Sequence, residues 1–135
     1  MEKAKETPAR KRRHRFIRVA PNQESPVRVD INGGGIIEVM KALDISEGGI
    51  CIRVTHRFKG SDMDEPVSFI IYLPDPINQF FRVEGRIKHV RNDLFGVQFT
   101  NLSDKSRTLI RRYVARWLQK RRLWDFIRYS LHILR

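Results

Sequence analysis

The chain has 135 residues, 41% hydrophobic, with only eight Gly and six Pro, which supports one folded core and excludes a low-complexity chain. Its 27 Lys and Arg against 15 Asp and Glu give a net charge of +12, placed mostly at the ends. Residues 1–18 hold eight basic against two acidic side chains, residues 103–135 ten against two, and residues 19–102 nine against eleven. That near-neutral middle excludes a compact, intrinsically basic nucleic-acid-binding domain.

Residues 1–18 carry almost no apolar side chain before Phe16 and read as a disordered basic arm. A folded middle is expected over 19–102. Val27, Val29 and Ile31 alternate with Arg28 and Asp30, Gly33-Gly34-Gly35 turns the chain, and Ile36 to Leu43 returns as a second strand. The segment Asp44-Ile45-Ser46-Glu47-Gly48-Gly49 is expected to end that strand in a turn. Further strands are expected at Ile50 to Val54, Pro66 to Leu73, Phe80 to Val90 and Phe95 to Thr100. Six short strands joined by turns suit a closed antiparallel barrel, which leaves no free edge.

Ser103-Asp104 then supplies a serine cap and a first-turn acid for a helix over 103–135. Leu109, Ile110, Tyr113, Val114, Trp117 and Leu118 form its apolar stripe, and the phase continues through Trp124, Ile127, Leu131 and Leu134. Unbroken, such a helix reaches about 48 Å at about 1.5 Å per residue. A small barrel cannot cover that length, so either the helix breaks near Lys120-Arg121-Arg122 or its distal third packs on something else.

Two clusters carry chemistry. Arg12, Arg13, Arg15 and Arg18 offer forked donors that fit phosphate oxygens and the O6/N7 edge of guanine. Asp44 offers a carboxylate acceptor for the guanine N1 and N2 hydrogens, with the Ser46 hydroxyl close by. Together they describe a pocket for an anionic guanine nucleotide.

Asp44, Ser46 and Gly49, preceded by the arginine segment, resemble the PilZ family, small β-barrel domains marked by R-x-x-x-R and then, some thirty residues on, [D/N]-x-S-x-x-G. Phe95-Gly96-Val97-Gln98-Phe99, Leu102-Ser103 and the basic helix resemble the end of that domain, so the likeness runs from about residue 12 to about residue 118. Two frames stand for the arginine motif. One pairs His14 with Arg18 and the other Lys11 with Arg15, so the first arginine is replaced in both. The resemblance implies a six-stranded antiparallel PilZ-type barrel that binds cyclic di-GMP. It makes Asp44 a guanine acceptor, Ser46 a phosphate or base contact, and Gly48-Gly49 a stretch where backbone passes closely, with no Cβ allowed at Gly49. His89 or Arg91 is the implied side chain stacking on a guanine. If His14 donates to a phosphate, binding is expected to tighten as pH falls from about 8 to about 6.

Other features read as structural. Strict alternation on the fifth strand puts Arg86 and Lys88 on one face with Val90, and His89 on the other with Ile87 and Arg91. Cys51, between Ile50 and Ile52, is expected to be buried as a small hydrophobe. Gly33-Gly34-Gly35 is followed by no Gly-Lys-Ser/Thr and is not a phosphate loop. The four histidines share no ligand spacing, so no metal and no cofactor are expected. No nucleophile elbow or zinc-protease helix motif is present, and a non-catalytic protein is expected.

The leading expectation is a cytoplasmic cyclic di-GMP receptor. Its arm of Arg12, Arg13, His14, Arg15 and Arg18 closes over nucleotide at the Asp44–Gly49 turn, and a downstream protein reads the change. A lone cysteine, a charged start without an apolar signal segment and no run of about 18 apolar residues agree with that location. Two alternatives stand beside it. One is a barrel that no longer binds nucleotide and acts as an adaptor or homo-oligomer through the terminal helix. The other is nucleic-acid or anionic-membrane binding by the helix's Arg111, Arg112, Arg116, Lys120, Arg121 and Arg122.

Overall fold

The computed structural model describes residues 16–33, 36–54 and 63–133. Six antiparallel strands, β1 (Arg28–Gly33), β2 (Ile36–Ile45), β3 (Gly49–Arg53), β4 (Pro66–Leu73), β5 (Gln79–Arg91) and β6 (Leu94–Phe99), precede one helix, α1 (Asp104–Ile133). The strands close into a barrel in the order β1-β2-β3-β6-β5-β4.

Period-two patterning becomes the barrel interior. Val29, Ile31, Ile50, Ile52, Phe69, Ile71, Val83, Ile87 and Phe95 are all fully buried or nearly so. Each such side chain contributes about 1.5–3 kcal/mol relative to exposure. Gly33 lies opposite Ile36 at the end of the β1–β2 ladder, and the expected turn residues Gly34 and Gly35 lie outside the described residues. Asn92 and Asp93 make the two-residue turn between β5 and β6, with Asn92 at φ 56°, a left-handed conformation that asparagine tolerates better than most residues.

β2 does not stop at Leu43. It runs through Asp44 and Ile45, and its register with β3 shifts between Ala42 and Asp44. A second shift lies between Ile87 and His89, where β5 meets β6. An extra residue in one strand reverses the in-out phase beyond it.

Helix α1 begins at the expected cap. Ser103 Oγ accepts the Ser106 backbone N–H at 3.1 Å, with Asp104 in the first turn. Leu109, Ile110, Tyr113 and Val114 join the barrel's apolar cluster, with Trp117 and Leu118 packed at its edge. No break occurs at Lys120-Arg121-Arg122: the helix is continuous over 30 residues, about 45 Å. Beyond Leu118, Leu123, Trp124 and Phe126 stand in the open, all more than half exposed.

Candidate functional site

Registered pairing carries the site across four strands. Asp44 pairs with Cys51, Cys51 with Gly96, and Gly96 with His89. These four residues form one row over β2-β3-β6-β5 and all line the same open cleft on the barrel's outer face, about 1020 Å³ in volume. At about 4.8 Å between strands the row spans about 14 Å. Its middle is low because Gly96 has no side chain and Cys51 a small one.

Both ends of the row depend on a register shift. Ala42 and Ile45 are buried, and the irregularity between Ala42 and Asp44 turns the carboxylate outward. On β5 the alternation expected from sequence placed His89 with Ile87. The structure corrects this: Ile87 is fully buried, while the shift after it leaves His89 exposed. Lys88, His89, Val90 and Arg91 all border the cleft, so both expected faces of that strand contribute to it. A Cβ built on Gly96 would lie 3.2 Å from His89 Cβ and Cδ2, so the imidazole rests on the space that glycine leaves.

Over the Asp44 end lies the root of the N-terminal segment. Arg18 Nη1 donates to Asp44 Oδ1 at 2.5 Å, with half of the Arg18 side chain and about a third of Asp44 still exposed. Val19 bridges Ile45 through two backbone hydrogen bonds, of 3.0 and 2.9 Å. This pairing fixes Arg18 over the carboxylate. Phe16 lies against Gly48 and also lines the cleft. Arg12, Arg13, His14 and Arg15 lie outside the described residues.

Ser46 to Gly48 is the turn itself. Ser46 N–H donates to Gly49 O at 2.9 Å, and Gly48 N–H donates to Ser46 Oγ at 3.1 Å. Ser46 is buried, and its hydroxyl caps this turn while bordering the cleft. Gly49 has no room for a side chain, since an ideal Cβ would lie 2.3 Å from Val97 O.

Cys51 corrects another expectation, because it is only partly buried and faces the cleft between inward-pointing Ile50 and Ile52. The same period of two that buries the isoleucines sends the thiol the other way. Burial, and then the Asp44 carboxylate, push its pKa above the ordinary thiol value. At the opposite edge, Lys88 Nζ donates to Asp64 Oδ1 at 2.8 Å, and this hydrogen bond holds the Asp64 carboxyl below its usual range.

Glu47 was not among the residues singled out in sequence. From the turn it reaches α1, where Arg111 Nη2 and Nε donate to its two oxygens at 2.9 and 3.2 Å, with Arg107 at 3.9 Å. The same helix holds the N-terminal segment: Trp117 Nε1 donates to Ala20 O at 2.8 Å. Both the turn and the root of the basic arm are thus anchored on α1. Only the spacing of a fold already known could have revealed these links, since they join residues 64 and 97 positions apart.

Among the described residues no cluster of three or more His, Cys, Asp or Glu side chains could hold a metal, and no helix is long and apolar enough to cross a membrane.

Comparison with known proteins agrees with this architecture. The model of the PilZ domain matches residues 10–116. No curated protein sequence matches the chain. Among solved structures, the PilZ domain of Escherichia coli YcgR with c-di-GMP aligns at a TM-score of 0.69 and 12% identity, covering 84% of this chain and 98% of that one. The K. pneumonia MrkH–c-di-GMP complex aligns at 0.68 and 16% identity, covering 82% and 55%. The Bacillus subtilis inhibitor of motility MotI/DgrA aligns at 0.64 and 18%, covering 82% and 54%. The chain spans about half the length of the MrkH and MotI chains, and identities this low speak for a common fold. With the family model matched over residues 10–116, most of its length, the chain belongs to the PilZ domain family.

Proposed function

We propose that this protein is a non-catalytic cyclic di-GMP receptor whose N-terminal arginines close over nucleotide held on the Asp44–Cys51–Gly96–His89 row. The observation that carries this reading is the placement of Arg18 on Asp44 at one end of a low-floored cleft. Asp44 has a second oxygen for the N1 and N2 hydrogens of guanine. Gly96 and Cys51 leave room for a planar base, and His89 or Arg91 at the far end offers a stacking or cationic partner. Arg18 uses one donor on Asp44 and keeps others for phosphate. In the proposed complex Arg12, Arg13, His14 and Arg15 follow Arg18 over the ligand. Two of the similar structures hold c-di-GMP, which adds weight to this choice of nucleotide.

Each charge-assisted contact contributes about 1.5–3 kcal/mol, so a few suffice for micromolar binding at about −8 kcal/mol after the arm is ordered. Output follows from the anchors on α1. Moving Arg18 pulls on Ala20 and so on Trp117, and moving the turn pulls Glu47 against Arg111. A downstream protein that contacts the helix then reads the bound state.

Calorimetry with cyclic di-GMP, with cyclic di-AMP as control, tests this directly. Arg18→Ala and Asp44→Ala are each expected to weaken cyclic di-GMP binding at least about tenfold, the equivalent of about 1.4 kcal/mol. Unaltered isotherms for both variants, or equal affinity for the adenine messenger, overturn the assignment. Binding only to a short duplex, with a steep fall in affinity between low and high salt, replaces it with the nucleic-acid alternative.

A further inference from the structure

A second cleft, about 320 Å³ in volume, lies between α1 and the end of the barrel, away from the row of Asp44 and His89. Ala20 and the Pro74–Pro76 loop wall one side, while Trp117 and Trp124 with Arg116, Lys120 and Arg121 supply the other. The aromatic faces offer apolar contact. Arg121 is paired with Asp125 at 3.9 Å, and Arg116 and Lys120 against the single lining carboxylate of Asp75 keep the rim electropositive. Arg116, Lys120, Arg121 and Trp124 are all exposed.

The cleft continues into the open end of α1. Tyr113, Trp117, Lys120, Trp124 and Ile127 follow one another at steps of four, three, four and three, the spacing of a seam that receives another helix. Its first members pack on the barrel, whereas Leu123, Trp124, Phe126 and Ile127 beyond them are exposed. An occupant must therefore be apolar along one side and negatively charged where it meets Arg116 and Lys120. It must also be narrow enough to lie between helix and loop. A flat bilayer does not enter a cleft walled by Pro74 and Pro76, and a nucleic-acid backbone offers nothing to the aliphatic Ile127 that continues the seam beyond Trp124.

We infer that this cleft and the adjoining face of α1 form a docking site for an acidic amphipathic segment of a partner protein. This deepens the receptor reading by giving the chemistry of the downstream partner, and it rests on that reading only for control by messenger. Ala20, which walls the cleft and accepts from Trp117, is two residues from Arg18. A shift of Arg18 on binding messenger would therefore reach the docking site through Ala20.

Both tryptophans of the chain line this cleft, so intrinsic fluorescence reports on it. The full chain is titrated with a synthetic helical peptide free of tryptophan and tyrosine, whose glutamates face one way and leucines the other, and with its lysine-for-glutamate counterpart. Anisotropy of the dye-labelled peptides gives a second readout. A saturable response to the glutamate peptide, absent with the lysine peptide and weakened at least about tenfold by Lys120→Glu and by Trp124→Ala, is the expected result. Both substituted positions are exposed, and circular dichroism verifies that each variant is folded. No response to the glutamate peptide, equal response to both peptides, or unchanged binding by both variants overturns the proposal. Response confined to phosphatidylserine vesicles or to a single-stranded oligonucleotide overturns it in favour of those surfaces. Cyclic di-GMP calorimetry on the same samples separates the two readings. Peptide binding without nucleotide binding leaves the docking site standing and removes the receptor, and the opposite pattern removes the docking site alone.

Discussion

Substituting Gly49 by alanine tests the closeness of β3 and β6 under the proposed nucleotide surface. An ideal Cβ at Gly49 would sit 2.3 Å from the carbonyl oxygen of Val97, and an ordinary carbon–oxygen contact needs about 1 Å more. The obstacle is backbone in a closed barrel, so relief requires β3 and β6 to part near the Gly49–Gln98 pair. That movement stretches the Phe99 N–H to Gly48 O hydrogen bond, now 3.0 Å. Overpacking costs about 1–3 kcal/mol, and a backbone hydrogen bond weakened beside the core adds about 1 kcal/mol. The expected loss is about 2–4 kcal/mol, a large share of a typical 5–15 kcal/mol total. For a chain of this size that lowers Tm by about 8–16 °C. Thermal unfolding followed by circular dichroism measures it, with Gly48→Ala as the paired control. At Gly48 the added Cβ comes too close only to the Phe16 ring, 2.9 Å away at Cδ2, with Ser46 Oγ at an ordinary 3.7 Å, and that ring can turn aside. Gly48→Ala is therefore expected to keep the parent Tm while shifting Phe16 in the cleft. A Gly49→Ala variant melting within about 2 °C of the parent refutes the reasoning.

Cys51 faces the cleft with its thiol pKa raised by burial and by Asp44, so maleimide labelling at neutral pH is expected to be slower than for free cysteine, and slower again with saturating cyclic di-GMP. Unchanged labelling on adding messenger places the ligand elsewhere. Tyr113 is pushed up to about 12 from 10.0 by burial. Its neutral phenol favours the folded state; that contribution is complete below pH 10 and fades as pH rises towards 12. An alkaline unfolding curve that Tyr113→Phe leaves unaltered between those limits contradicts this. Arg111→Ala removes the bidentate link to Glu47. The link is exposed, so stability is expected to change little, while hydrogen exchange at the Ser46–Gly48 turn should rise. Equal exchange in variant and parent shows that the link does not hold the turn.

Much of this protein follows from local pattern. Val29 and Ile31, Phe69 and Ile71, and the Ser103 cap declare strands and a helix start because side-chain direction within one element has a fixed period and a cap needs only its next three residues. The run from Asp44 to Gly49 announces a turn for the same local reason, and the structure confines that turn to residues 46–48. What the sequence cannot carry is the phase beyond an irregularity: the shifts after Ala42 and Ile87 depend on how two strands meet, and they alone turn Asp44 and His89 to one surface. Period two turns Cys51 outward between Ile50 and Ile52, but its cross-strand neighbours Asp44 and Gly96 are what no single strand reveals. The continuity of α1 through three successive basic residues also waited for the fold. Helix propensity favours continuity at Lys120-Arg121-Arg122, where no Gly or Pro intervenes, but only the tertiary structure shows the helix running past the barrel with Trp124 and Phe126 uncovered. Periodicity is a property of neighbours along the chain; a site shared by four strands and a helix is a property of distances between them.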